Sequence, residues 1–118
     1  MSSSQIVSID PIRTLAFGSI SGTYAAVGTA LANPVRLICF TNTTDVDMTV
    51  SINATSDYLI VPAGSFKLFD ICTNRLNSSS YWVFAAKTQF FVKGSGASKG
   101  AFYIECLWGT DAGFADNQ

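Results

Sequence analysis

Four of the strand-like runs of this chain are apolar on both of their faces. They span residues 35–42, 65–72, 88–93 and 101–108. In a strand, alternate side chains point to opposite sides of the sheet. A strand with one side exposed to solvent should therefore alternate between apolar and polar residues. These runs do not alternate, and a large apolar face left in water would promote aggregation. We therefore expect both faces to be covered, either by a second sheet layer or by a neighbouring chain.

One of the two sets of side chains is typical of an ordinary core. It consists of Val35, Leu37, Cys39, Phe66, Leu68, Cys72, Phe90, Val92, Phe102, Ile104, Cys106 and Trp108. The opposite set is also rich in large apolar residues, so we predict that it makes the contact with other chains. With two residues of the N-terminal segment added, the predicted interface residues are Ile6, Ile9, Phe40, Phe69, Ile71, Phe91, Tyr103 and Leu107.

Short strand-like runs follow one another at roughly 8–12-residue intervals, which is typical of a β-sandwich or barrel. No stretch shows helical periodicity. The sequence therefore predicts an all-β fold, namely an antiparallel β-sandwich of about eight or nine strands that is jelly-roll-like. A closed barrel and an immunoglobulin-like sandwich are the alternatives.

We predict three parts: an N-terminal arm at residues 1–13, a sandwich domain at 14–109 and a C-terminal tail at 110–118. The arm contains Pro11, and proline is excluded from central strands. The arm therefore either docks on a neighbouring chain or folds back on its own sheet as an edge strand.

Charge is scarce, which limits the classes of partner. Charged residues make up 13% of the chain and the net charge is −1, whereas typical domains are about 25% charged. The few Lys and Arg residues are scattered, so the basic patch that nucleic acids or anionic membranes require is missing. The first residues lack the features of a signal peptide, and no apolar run approaches the length of a membrane helix. We expect a protein that is made in a cytoplasm and that binds other proteins.

The chain contains no histidine, which removes the Ser-His-Asp and Cys-His arrangements and the commonest general base. Its single glutamate is Glu105, and most aspartates fall in turns. Asp70 is placed by the pattern on the inward side of its strand, where we expect it to bond turn amides or Arg75. We therefore predict no enzymatic activity, no catalytic residue and no cofactor.

Two smaller groups of residues have other possible roles. Asp45, Asp47 and Asp57 lie near hairpin ends and could converge on a calcium ion, a question that the sequence leaves open. The three cysteines are Cys39, Cys72 and Cys106. Their spacing matches no zinc site, and we predict three reduced thiols that face the core.

Several motifs resemble small structural proteins of tailed-bacteriophage virions. They are Leu15-Ala16-Phe17-Gly18-Ser19-Ile20, Thr23-Tyr24 through Gly28, Pro34-Val35-Arg36, Phe40-Thr41-Asn42-Thr43-Thr44-Asp45, Val61-Pro62-Ala63-Gly64, Phe69-Asp70 and Phe90-Phe91-Val92-Lys93. The resemblance covers most of residues 13–109, and capsid cement (decoration) proteins of jelly-roll type are nearest in size and character. It implies a β-sandwich fold, no enzymatic activity and a place in the virion, and it carries over no site residue.

These observations predict a capsid cement protein that forms a homo-oligomer, a dimer or a trimer, and binds the major capsid protein to stabilise the shell. A structural protein of the tail, baseplate or head–tail junction is one alternative. The other is a carbohydrate- or receptor-binding module. Tyr24, Tyr58, Tyr81, Trp82 and Trp108 could in principle build a sugar-stacking platform, but the pattern places Trp108 in the core and the others on different strands with no shared face.

Overall fold

The computed structural model describes residues 6–70 and 84–110, and these form two antiparallel sheets that pack face to face. The predicted all-β class and sandwich architecture are confirmed, whereas a jelly-roll connectivity is not established. The nine strands of the described residues are β1 (Ile6–Ile9), β2 (Arg13–Ala16), β3 (Ala25–Ala26), β4 (Val35–Asn42), β5 (Met48–Ser51), β6 (Leu59–Val61), β7 (Phe66–Asp70), β8 (Phe91–Lys93) and β9 (Ala101–Thr110). A 3₁₀ turn, Phe17–Ser19, follows β2. None of the described residues forms a helix long and apolar enough to cross a membrane.

The five-stranded sheet is centred on β9 and β4, in the order β1-β9-β4-β7, and β2 also pairs with β9. The four-stranded sheet has the order β3-β8-β5-β6. Both β1 and β2 run along the same neighbour, because Ile9 lies opposite Leu107 and Arg13 lies opposite Ile104. Residues 6–9 of the predicted arm therefore fold back on the sheet of their own chain, which is the second of the two alternatives.

The space between the sheets is filled by a ring cluster around Phe40. Its ring centroid lies 6.0 Å from Phe69, 6.3 Å from Phe84, 5.4 Å from Phe90 and 6.3 Å from Phe102. Most of these rings meet edge to face, the arrangement that the aromatic quadrupole favours. The buried aliphatic residues around them are Ile20, Val27, Leu31, Val35, Ile38, Met48, Val50, Val61, Val92 and Ile104.

The faces of β4 are the reverse of the prediction beyond Arg36. The pairing of β4 with β9 shifts register between Val35 and Leu37, as a β-bulge does. Val35 and Ile38 are consequently both buried, although strict alternation would place them on opposite sides. The four-stranded sheet therefore covers the side of β4 that was predicted to meet another chain.

The same reversal affects β7, because its residues pair with β4. Phe69 packs against the core, whereas Phe66 is 63% exposed and Leu68 is 51% exposed. The prediction that Phe66 and Leu68 belong to the core is wrong, and so is the inward placement of Asp70, which pairs with Leu37 on the outer side. A slip of one residue exchanges every side chain between the faces of a strand.

The faces of β8 and β9 are as predicted. Phe90 and Val92 are fully buried, as are Phe102 and Ile104. Cys106 is a buried free thiol, and burial raises its pKa. Cys39, also a free thiol, lies on the outer side of β4 opposite Glu105, so its predicted inward position is wrong. Cys72 lies outside the described residues.

Candidate protein-binding surface

The outward side of the five-stranded sheet is largely apolar, although its inward side packs against the core. This surface, called the outer face below, consists of Ile9, Leu37, Cys39, Phe66, Leu68, Tyr103 and Leu107. Ile9 is 81% exposed, Phe66 and Leu68 are more than half exposed, and the other four side chains are partly buried. Clustered apolar side chains of this size on a surface mark sites that bind other molecules.

Strand register makes the outer face continuous, since directly opposed residues in a sheet share a side. One row across the sheet joins Phe66, Thr41 and Tyr103. A second row joins Leu68, Cys39 and Glu105, and a third joins Asp70, Leu37, Leu107 and Ile9. The rows form a patch that crosses the sheet from β7 to β1, and Glu105 is its exposed charge.

Three of the eight predicted interface residues, Ile9, Tyr103 and Leu107, lie on the outer face. Phe40 and Phe69 lie in the core instead, because the bulge in β4 reverses the faces. Phe91 is partly buried and lies on the outward side of the other sheet, between two fully buried neighbours in sequence. Ile6 lies in β1, and Ile71 lies outside the described residues.

Sequence reasoning placed Leu37, Phe66 and Leu68 in the core and therefore missed them as members of the outer face. Their charged neighbours Arg36 and Lys67 fell on the side that was predicted to meet another chain. Arg36 is instead 5% exposed at the bulge. Lys67 lies opposite the buried Phe40 but is itself exposed, an inward-pointing charge of the kind that protects sheet edges from mispairing. Glu105, by contrast, is exposed on the outward side of β9.

A second cluster, on the four-stranded sheet, is polar. The Tyr24 hydroxyl donates a hydrogen bond to Asp57, and Lys93 Nζ lies 3.2 Å from Asp57 Oδ1. The same Nζ lies 4.6 Å from the centroid of the Tyr24 ring, a cation–π contact. Burial, followed by the hydrogen bond to Asp57, raises the pKa of Tyr24 to about 12. The cluster fastens the hairpin between β5 and β6 to β3 and β8.

Of the aromatic residues considered for a sugar-stacking platform, the structure describes Tyr24, Tyr58 and Trp108, which have contacts of their own. Lys93 occupies one face of the Tyr24 ring, which leaves only the other face for stacking. Tyr58 is 52% exposed, and Asn53 Nδ2 donates to its hydroxyl at 3.3 Å. Trp108 packs against the core, whereas Tyr81 and Trp82 lie outside the described residues.

Replacing Asp57 with asparagine should remove stability that depends on pH. The Tyr24 hydrogen bond and then Lys93 hold the pKa of Asp57 below its ordinary value of 3.8. A carboxyl whose pKa is lowered by folding stabilises the fold above its unfolded-state pKa and loses that contribution as the pH falls through the folded-state value. Urea unfolding from about pH 2 to about pH 7 should therefore show parent and variant differing near neutrality and converging at the acid end.

Tyr24→Phe is the matched control for this prediction, because it removes the largest cause of the shift but keeps the ring. In a Tyr24→Phe background, replacing Asp57 with asparagine should change the pH dependence of the free energy of unfolding less than it does in the parent. A constant gap between parent and Asp57→Asn at every pH would contradict the assignment.

The three aspartates considered as calcium ligands have separate partners. Asp45 accepts hydrogen bonds from the backbone and hydroxyl of Ser98, which lower its pKa. Asp47 Oδ1 accepts from the backbone N–H of Ala63 at 3.0 Å. The described part of the chain contains no group of three acidic, cysteine or histidine residues placed to hold a metal ion.

A groove of about 590 Å³ lies beside the connection between β1 and β2. It is lined by Asp10, Pro11, Ile12, Arg13, Thr14, Gly28, Thr29, Ala30 and Ala32. The buried Arg13 guanidinium is occupied by bonds within the chain, since Nη1 donates to Asp10 at 2.8 Å and Nε donates to the Thr29 carbonyl at 2.8 Å. A third donor, Nη2, lies 3.4 Å from the Ala30 carbonyl. Arg13 therefore joins the strand connection to the 28–30 loop as a structural clamp.

Comparisons with known proteins identify no relative, because no family model, no curated protein and no solved structure matches this chain. A functional assignment therefore depends on the residues and motifs of the chain itself.

Proposed function

We propose that this protein is a non-enzymatic structural component of a bacteriophage virion, and specifically a capsid cement protein. The single observation that carries the proposal is the outer face, a largely apolar surface on the side of the five-stranded sheet that points away from the core. Such a surface suits a protein whose role is to bind other proteins. The motif resemblance to small virion proteins supports the bacteriophage setting.

The physical requirements of a cement protein fit this surface. Burial of apolar area contributes about 25 cal/mol per Å² before the costs of association and ordering. Repeated contacts around a particle add avidity to each weak contact. The proposed partners are further copies of this chain and the major capsid protein, with no nucleic acid, membrane or cofactor. The proposed location is the virion, after synthesis in the cytoplasm of a bacterial host.

A location in the tail, the baseplate or the head–tail junction is supported by the same apolar surface. These locations differ from the cement role in copy number and in the particle fraction to which the protein binds. The carbohydrate-binding alternative would have to use Tyr58, which is 52% exposed, and the face of the Tyr24 ring that Lys93 does not occupy.

The test is co-sedimentation of the purified protein with empty, expanded capsids of the phage that encodes it, and separately with purified tails. A cement protein should pellet with capsids and saturate at a copy number comparable to that of the capsid subunit. It should also raise the temperature at which the shells break. Pelleting with tails alone would support the alternative location, and a protein that stays in the supernatant with both particles would refute a virion role.

A further inference from the structure

We draw no further inference here: the strongest candidate, the outer face of the five-stranded sheet, belongs to the surface already described, and nothing in the structure shows what covers it.

Discussion

The variant Gly100→Ala is expected to lose about 3–5 kcal/mol of the free energy of unfolding, because its new methyl group has no space. A Cβ at this position would lie 2.3 Å from the carbonyl oxygen of Thr43 and 2.9 Å from Cα of Thr44. Both contacts are with backbone, which cannot move aside by a change of rotamer. Gly100 also has a φ of +86°, in the region where residues with a Cβ are strained.

Hydrogen bonds on both sides keep this segment from relaxing. The Phe17 amide donates to the Gly100 carbonyl, and the Thr43 amide donates to the Ala101 carbonyl, each at 3.0 Å. A shift large enough to admit the methyl group would break at least one of these bonds. Urea unfolding at neutral pH measures the loss, and failure to fold during expression would be its extreme form.

Gly96→Ala is the matched control for Gly100→Ala. Gly96 has the same φ of +86°, but nothing lies within 4 Å of its added Cβ. It should therefore lose only the conformational part of the cost, about 1–2 kcal/mol. Equal losses in the two variants would show that the contact with Thr43 does not constrain the fold.

Phe40→Ala is expected to cost about 3–5 kcal/mol, the usual range for removing a large buried aromatic side chain. Phe40 is fully buried, and its ring contacts those of Phe69, Phe84, Phe90 and Phe102. Truncation leaves a cavity at the centre of the cluster, between the two sheets. Urea or thermal unfolding measures the loss.

The control is Phe66→Ala, measured at a protein concentration low enough to keep the chain monomeric. Phe66 is 63% exposed on the outer face, so its removal should change monomer stability by less than about 0.5 kcal/mol. A large loss of monomer stability from Phe66→Ala would contradict the assigned faces of β7.

The contrast between these two phenylalanines shows where reasoning from the sequence succeeds and where it fails. In β9, strict alternation was enough to assign Phe102 and Ile104 to the core and Tyr103 to the opposite side. In β4, the bulge after Val35 moved every later residue to the opposite face of the strand. Apolar side chains lie on both faces of β4, so either face could be turned to the core without burying polar residues. The periodicity of the sequence therefore cannot reveal the shift.

The sequence could predict that a second apolar face exists, but not which residues form it. The sequence indicated a second apolar face, and Ile9, Tyr103 and Leu107 do lie on such a face. Phe66 and Leu68 could be recognised only from the pairing of β7 with β4. A cation at a sheet edge can point inward and still reach water, as Lys67 does, and the sequence pattern gives no sign of this.

The sequence alone determined the strand content, the sandwich class and the excess of apolar side chains over what a single inward face requires. These properties follow from composition and from local periodicity, which act within a few residues along the chain. Only the tertiary structure decided which side of β4 and β7 faces the core, that residues 6–9 pair with β9, and which side chains form the outer face. Those outcomes depend on register between strands distant in sequence, and a single bulge changes register without altering the hydrophobic pattern.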